Sequence, residues 1–349
     1  MEKIGILTGG GDAPGLNGVI RGAVLTCERK GISTVGVCDG FRGFARKDGI
    51  VPLTHASVRG ILWRGGSILG CNNRFKAPLA TYLDRMHKEG IDGLIVAGGD
   101  GTLAMAGKLA EAGAKVVGVP KTIDNDVAGT NITFGFDTAV ELVADSCSRL
   151  VDTGETHQRV MVLEVMGRYA GHIALHGGLA GSADVVLIPE IPYEPECVAE
   201  VILRRLERGR NYTVIVVAEG AKQRGGDVVI DEHSTERSGR EILGGVGEHL
   251  CAQLRKRVSH EVRSITLGHL QRGGTPSAFD RILGTRMGTA AAEALANGRS
   301  NVFTAVRDGS IQLAPLTDAT AGIRRVDPDG DVVAAARNVG IEFGDGGES

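Results

Sequence analysis

Aromatic residues are scarce, 4% of the 349-residue chain with a single Trp, so no surface for stacking successive nucleic-acid bases is encoded. Charge of one sign is equally lacking: 39 basic residues stand against 42 acidic ones, for a net charge of -3. That excludes the basic footprint of a general polyanion binder, and nucleic acid is not an expected partner. No uninterrupted apolar run approaches the roughly 18 residues that a membrane span requires. The first such run, Ile4 to Leu7, is too short for the core of a secretory leader. The six cysteines, at 27, 38, 71, 147, 197 and 251, form no Cys-x-x-Cys pair, which argues against a structural zinc site of common spacing. It argues equally against a disulfide framework, and a reduced, cytoplasmic setting is expected.

Glycine is what the chain has in excess: 53 of 349 residues, about 15%, against a usual share of roughly 7%. No Gly-X-Y period accompanies it. The glycines follow short β-branched runs and precede helical segments. This pattern recurs after Ile4–Leu7, Gly93–Ala97, Val116–Val119, Val160–Val165, Val185–Ile188 and Val214–Val217. Continuous apolar runs separated by helical segments predict buried parallel strands in βαβ units. In such sheets ligands gather beyond the carboxyl ends of the strands, and nearly every unusual polar cluster falls there. At roughly 150 residues per domain the length predicts about two domains, and a division near residue 137 fits the two sets of strands. The segment from Glu232 to Arg257 reads as charged and helical, and Phe343–Ser349 as a frayed tail.

Three clusters carry chemistry. Gly9-Gly-Gly-Asp-Ala-Pro-Gly15 joins a strand to a helix, so backbone N–H groups and a helix N-terminus converge as an anion cradle. It is neither the Gly-x-Gly-x-x-Gly of dinucleotide folds nor a Walker loop, and a ligand-free tight turn is the alternative. Gly98-Gly-Asp-Gly-Thr102 is a second glycine loop. An acidic residue there approaches a phosphate only through a cation, so Asp100 is a candidate Mg²⁺ contact. NAD kinases and lipid kinases carry a similar string, so the loop points to a phosphoryl donor before it names a substrate. In Thr122-Ile-Asp-Asn-Asp126 two carboxylates stand two residues apart. An extended segment would send both to one side, one to accept a proton and the other to hold metal or orient its neighbour; an Asp-rich surface turn is the alternative.

Together these strings resemble the bacterial-type 6-phosphofructokinases, the phosphofructokinase A family, and within it the mixed-substrate subgroup. The matching strings are TGGGDAPGLNGVIRG (8–22), RGGSILG (64–70), GGDGT (98–102), PKTIDND (120–126), HQRVMVLEVMGRYAG (157–171), IPE (188–190) and LGHLQRGGTPSAFDR (267–281). The resemblance implies an α/β fold of two αβα, Rossmann-like domains with mainly parallel sheets and the active site in the cleft between them. The donor domain would comprise residues 1–137 and about 271–321, the fructose 6-phosphate domain 138–270 and about 322–349.

The same resemblance implies roles. Asp124 would take the proton of the sugar's 1-hydroxyl with Asp126 beside it, and Thr122 and Arg168 would bracket the transferring group. Gly11, Arg74, Phe75, Gly99, Asp100, Gly101 and Thr102 would hold ATP, with Mg²⁺ on Asp100. Met166, Gly167 and Glu219 would touch the sugar. Arg159, Arg263, His269 and Arg272 would hold its 6-phosphate, with Arg159 and Arg263 reaching in from a neighbouring subunit of a homotetramer. Phosphoryl transfer asks mainly for alignment and charge neutralisation, which these residue types supply.

Two positions bear on the choice of donor within the family, ATP or pyrophosphate. Gly101 leaves room for the nucleotide's α-phosphate and favours ATP; Lys121 stands where pyrophosphate users typically carry lysine. Gly101 is given more weight because its effect is a direct removal of an obstacle. The pyrophosphate-dependent enzyme remains the alternative. In the effector pocket of familiar bacterial members Arg21 is retained, and Arg208 and Arg210 stand in place. Leu25, His55 and Val151 replace expected arginines, so weak or altered effector control is expected.

Overall fold

The structure is a computed structural model, and it describes residues 1–72, 74–235 and 241–347. Its strands are β1 (Lys3–Thr8), β2 (Ser33–Val37), β3 (Ile50–Leu53), β4 (Gly93–Gly98), β5 (Val116–Pro120), β6 (Arg159–Val165), β7 (Val185–Leu187), β8 (Thr213–Ala218), β9 (Ile230–Thr235), β10 (Glu241–Leu243), β11 (Glu261–Thr266), β12 (Val302–Arg307) and β13 (Ser310–Pro315). The helices are α1 (Leu16–Arg29), α2 (Leu79–Lys88), α3 (Asp100–Glu111), α4 (Phe136–His157), α5 (His172–Ala180), α6 (Pro195–Glu207), α7 (Val246–Leu254), α8 (Ala278–Ala296) and α9 (Asp331–Asn338). The chain forms two compact units: Met1–Thr138 with Arg272–Ile323, and Ala139–Gln271 with Arg324–Ser349.

The first unit holds a seven-stranded sheet of order β13-β12-β5-β4-β1-β2-β3. Pairing is parallel from β12 through β2, and only the edge strands β3 and β13 run antiparallel. Side-chain alternation explains why its strands read as continuous apolar runs. Ile4, Ile6, Ile95, Ala97, Val117 and Val119 face one layer with α1 and α8. Leu7, Leu94, Val96 and Val116 face another that includes Leu103, Ala106 and Leu109 of α3. Helices α1 and α8 approach closely because glycines line the contact. A Cβ on Gly288 would lie 2.2 Å from the Val19 carbonyl oxygen, and one on Gly22 2.7 Å from that of Thr285.

The second unit holds an all-parallel sheet of order β11-β6-β8-β7. Val160, Val162, Ile215 and Val217 bury one face with residues of α6 and α7. The α/β class with mainly parallel sheets therefore holds, and the β-branched runs of the sequence are strands β1, β4, β5, β6, β7 and β8. Two local expectations do not. The stretch after Ile230 is an antiparallel hairpin, β9 with β10, and only residues 246–254 of the charged segment form a helix; residues 236–240 lie outside the described residues. Phe343 is not part of a frayed tail, since its ring is fully buried and packs against the Arg337 guanidinium; residues 348 and 349 lie outside the described residues. All six cysteines are free thiols. Among the described residues no helix is long and apolar enough to cross a membrane.

Candidate active site

In the first unit, strand order reverses between β1 and β4: β2 lies on one side, β5 on the other. A crevice opens at the carboxyl ends of strands at such a point, and both glycine loops stand there. Gly9 N–H donates to the Ala97 carbonyl at 2.8 Å and Lys121 N–H to that of Gly98 at 2.9 Å, so the tips of β1, β4 and β5 are tied in a row. Thr102 fills the space beneath them. A Cβ on Gly9 would lie 2.7 Å, and one on Gly98 2.3 Å, from the Thr102 side chain, so only glycine fits at either position. Gly10 takes a left-handed φ of 78°. A Cβ on Gly101 would meet nothing within 4 Å, leaving open space at the start of α3, where Asp100 is exposed.

Cations face the first loop. The Arg272 guanidinium donates to the Asp12 carbonyl at 3.2 Å, and its Nη1 lies 2.7 Å from where a Gly11 Cβ would be. Lys121 is only 3% exposed, with Nζ 3.5 Å from the corresponding point at Gly10. No side-chain hydrogen bond or ion pair joins it among the described residues. Burial pushes its pKa down, the nearby Arg272 adds to that, and Cys71, Asp124 and Asp12 oppose it. Residues 74 and 75 are held to the same loop through Asn72. Its carbonyl accepts from Gly10 N–H at 3.3 Å, while its side-chain Oδ1 accepts from the N–H groups of Arg74 and Phe75 at 2.9 and 2.8 Å. Arg74 is exposed, and Phe75 packs on the α3 side of the sheet.

The segment after β5 departs from the extended conformation on which the same-side spacing rested. Asn125 has a left-handed φ of 54°, and a bend at Ile123–Asp124 precedes it. The two carboxylates nonetheless interact. Burial lifts Asp124 to about 6, the Asp126 charge adds to the rise, and Arg272 and Lys121 pull the other way. Burial also raises Asp126, against the Thr122 hydroxyl. Their coupling comes from a clamped turn: Thr122 Oγ1 accepts from Asp124 N–H at 3.1 Å, Asn125 Oδ1 accepts from Thr133 N–H at 3.0 Å, and the Thr133 hydroxyl donates to the Thr122 carbonyl at 2.8 Å.

In the second unit, the loops after β6, β8 and β11 carry the sugar candidates. Gly167 has a φ of 138° and Gly220 packs so tightly on the Arg168 carbonyl that a Cβ would sit 2.0 Å from its oxygen. Glu219 N–H donates to the Val165 carbonyl at 2.8 Å, which seats Glu219 beside Met166–Arg168. Arg168 Nε is buried with no hydrogen-bond partner among the described residues, and its guanidinium lies 5.2 Å from the Tyr169 ring centroid. His269 is exposed on the short turn Gly268–Arg272. Arg159 and Arg263 are not with them. Arg159 opens β6 and Arg263 is the third residue of β11, in register with Met161; both are paired to Glu261. The length of β6, at about 3.3 Å per residue, separates Arg159 from Met166 by roughly 20 Å.

Two residues unassigned from the sequence tie the loops. Asn72 is one; Gln271 is the other, its side-chain oxygen accepting from Met166 N–H at 3.3 Å and its amide donating to the Gly268 carbonyl at 3.1 Å. Both lie in or just after recognisable strings, but nothing in residue type distinguishes them from ordinary polar loop residues.

The family model described as "Phosphofructokinase" matches residues 3–295. The chain is 47% identical over 357 residues to an ATP-dependent 6-phosphofructokinase of Chloroflexus aurantiacus, covering 99% of this chain and 98% of that one. It is 46% identical over 348 residues to a pyrophosphate–fructose 6-phosphate 1-phosphotransferase of Streptomyces coelicolor, covering 98% and 100%. Among solved structures it is similar to the phosphofructokinase of Saccharomyces cerevisiae, with a TM-score of 0.81 and 28% identity over 92% of this chain and 45% of that longer one. Glycine loops at neighbouring strand tips, a clamped Asp-x-Asp turn and full-length similarity converge on one conclusion: the chain belongs to the phosphofructokinase family.

Proposed function

We propose that the chain is an ATP-dependent 6-phosphofructokinase acting in cytoplasmic glycolysis. It transfers the γ-phosphoryl group of ATP to the 1-hydroxyl of fructose 6-phosphate, giving fructose 1,6-bisphosphate and ADP. The observation that carries this is the row of tied strand tips in the first unit, where two glycine loops, a buried lysine and a raised-pKa aspartate converge. The six free thiols accord with a reducing compartment.

The geometry of each unit supports the following roles. The Gly9–Gly11 loop and the N-terminus of α3 cradle the donor phosphates, with Lys121 offsetting their charge. Asp124 removes the proton of the 1-hydroxyl; a carboxylate poised near 6 is deprotonated at neutral pH yet a stronger base than an exposed one. Thr122 and Arg168 bracket the group in transfer. Arg168 Nε, buried without an acceptor among the described residues, is a donor of the kind a residue awaiting an anion would have. Met166, Gly167 and Glu219 contact the sugar, and His269 and Arg272 its 6-phosphate.

The donor set suits Mg²⁺. Among the described residues no group of three or more His, Cys, Asp or Glu could hold a metal alone. Mg²⁺ commonly binds through one or two carboxylates plus substrate phosphates, and Asp100, exposed at the donor loop, supplies one. Bound there, the ion neutralises charge on the transferring phosphates.

Arg159, at the opposite end of β6 from the other sugar residues of its unit, and Arg263, which shares its partner Glu261, serve a neighbouring subunit's site in a homotetramer built on two-fold symmetry. A second reading, pyrophosphate as donor, draws on the buried Lys121 beside Gly10, without a side-chain partner among the described residues, which suits any polyphosphate. The open space at Gly101 favours ATP.

The test is direct. Purified protein with fructose 6-phosphate, ATP and Mg²⁺ should yield a product phosphorylated at carbon 1, identified by ³¹P NMR, and Asp124→Asn should slow its formation by about 10² to 10⁴. Phosphorylation at another position, or full activity of that variant, would refute the assignment.

A further inference from the structure

We infer that Gln271 is a positioning residue for the sugar substrate: its buried amide locks the loop after β6 to the loop after β11. The inference rests on the function proposed above. Gln271 is 1% exposed, and both polar atoms of its side chain are spent on backbone. The oxygen accepts from the N–H of Met166 at 3.3 Å and the nitrogen donates to the carbonyl of Gly268 at 3.1 Å. Met166 opens the loop that carries Gly167 and Arg168, and Gly268 opens the turn that carries His269.

In the order β11-β6-β8-β7, strands β11 and β6 are parallel neighbours, so the loops that leave their carboxyl ends lie side by side. The strands are paired up to Thr266 and Glu164, and Leu267 N–H still donates to the Glu164 carbonyl at 3.0 Å. Beyond that rung the ladder ends. The Gln271 amide continues it, replacing one backbone donor and one backbone acceptor with a side chain that offers both. Gly167, at φ 138°, and Gly268, at φ 48°, both occupy left-handed or near-left-handed conformations beside the tie. Such flexible points need an external restraint to hold one geometry.

The next residue sharpens the claim. Arg272 reaches a different loop, its guanidinium donating to the Asp12 carbonyl at 3.2 Å in the first unit. Gln271 makes both bonds within the second. Loss of the Gln271 amide should therefore be read in the sugar and not in the donor.

Two variants test this. Gln271→Leu keeps the volume but removes both bonds, leaving a buried N–H and a buried carbonyl unsatisfied. Its KM for fructose 6-phosphate should rise roughly tenfold, with the donor KM changed by less than about twofold. Gln271→Glu keeps the acceptor for Met166 but, when ionised, sets a carboxylate against the Gly268 carbonyl; protonated, it donates as the amide does. The ratio of its sugar KM to that of the wild type should fall toward one as pH is lowered, which a merely space-filling role would not produce. Equal changes in sugar and donor KM for Gln271→Leu, or no change in either, would overturn the inference. If Gln271→Leu fails to fold, a pH-independent KM ratio for Gln271→Glu overturns it and a pH-dependent one upholds it. A wild-type protein inactive on fructose 6-phosphate would instead refute the proposed function.

Discussion

Gly101→Asp separates donor choice from folding. The position is the second residue of α3, its φ is ordinary, and a Cβ there meets nothing within 4 Å. Glycine within a helix costs about 0.5–1 kcal/mol relative to alanine, and an acid in the first turn gains about 0.3–1 kcal/mol from the helix dipole. Repulsion from the neighbouring Asp100 offsets part of this, so the melting temperature should hold or rise. Toward ATP the same charge is costly. At about 8 Å from a phosphate charge, with an effective dielectric near 20, the repulsion is about 2 kcal/mol, roughly a thirty-fold loss. The assay is steady-state kinetics with ATP varied at saturating fructose 6-phosphate, repeated at high salt. The ATP KM should rise by that order and recover partly with salt, while pyrophosphate, which has no third phosphate to place beside α3, should suffer less. A stably folded variant with an unchanged ATP KM would refute the donor assignment of the α3 loop.

Asp124→Asn should lower kcat by about 10² to 10⁴ with little change in either KM, as loss of a general base does. Because the Asp124 pKa is raised to about 6 and the ionised form is the base, kcat should be flat above that pH and fall about tenfold per unit below it; a profile flat to pH 4.5 contradicts the role. Lys121→Met should raise the melting temperature near neutral pH, because a buried ammonium whose pKa is depressed destabilises the folded state wherever it must carry charge. The same variant should lose about tenfold or more in kcat/KM for the donor. Gly288→Ala should cost about 1–3 kcal/mol, read as a lower melting temperature, since its Cβ would press on the Val19 carbonyl. Isothermal titration with ADP or phosphoenolpyruvate should show no tight site apart from the active site. The small pocket of about 140 Å³ around Arg21, Leu25, His55, Arg59 and Trp63 keeps two arginines, and its His55 is paired to Glu28.

The fold was legible because burial on both faces leaves a plain signature. Runs such as Leu94–Ala97 and Val214–Val217 are fully buried, and the glycine loops at their ends are where the strand tips are tied. The edges were not legible. Strands β2 and β13 mix polar with apolar residues, β3 is only four residues long and contains Pro52, and the β9–β10 hairpin carries acidic residues that read as a helical surface. Asp124 and Asp126 were visible as a pair, but their coupling comes from Asn125 in a left-handed turn and from Thr133, eight residues further on, which an assumption of extended backbone could not supply. Asn72 and Gln271 act through backbone partners distant in sequence, so their chemistry appears only once the loops are folded.

The central claim is most directly tested by measuring kcat/KM for ATP and for pyrophosphate side by side, with fructose 6-phosphate and Mg²⁺, on the same preparation. Turnover with ATP at an efficiency well above that with pyrophosphate is predicted. Robust turnover from pyrophosphate with none from ATP would contradict it.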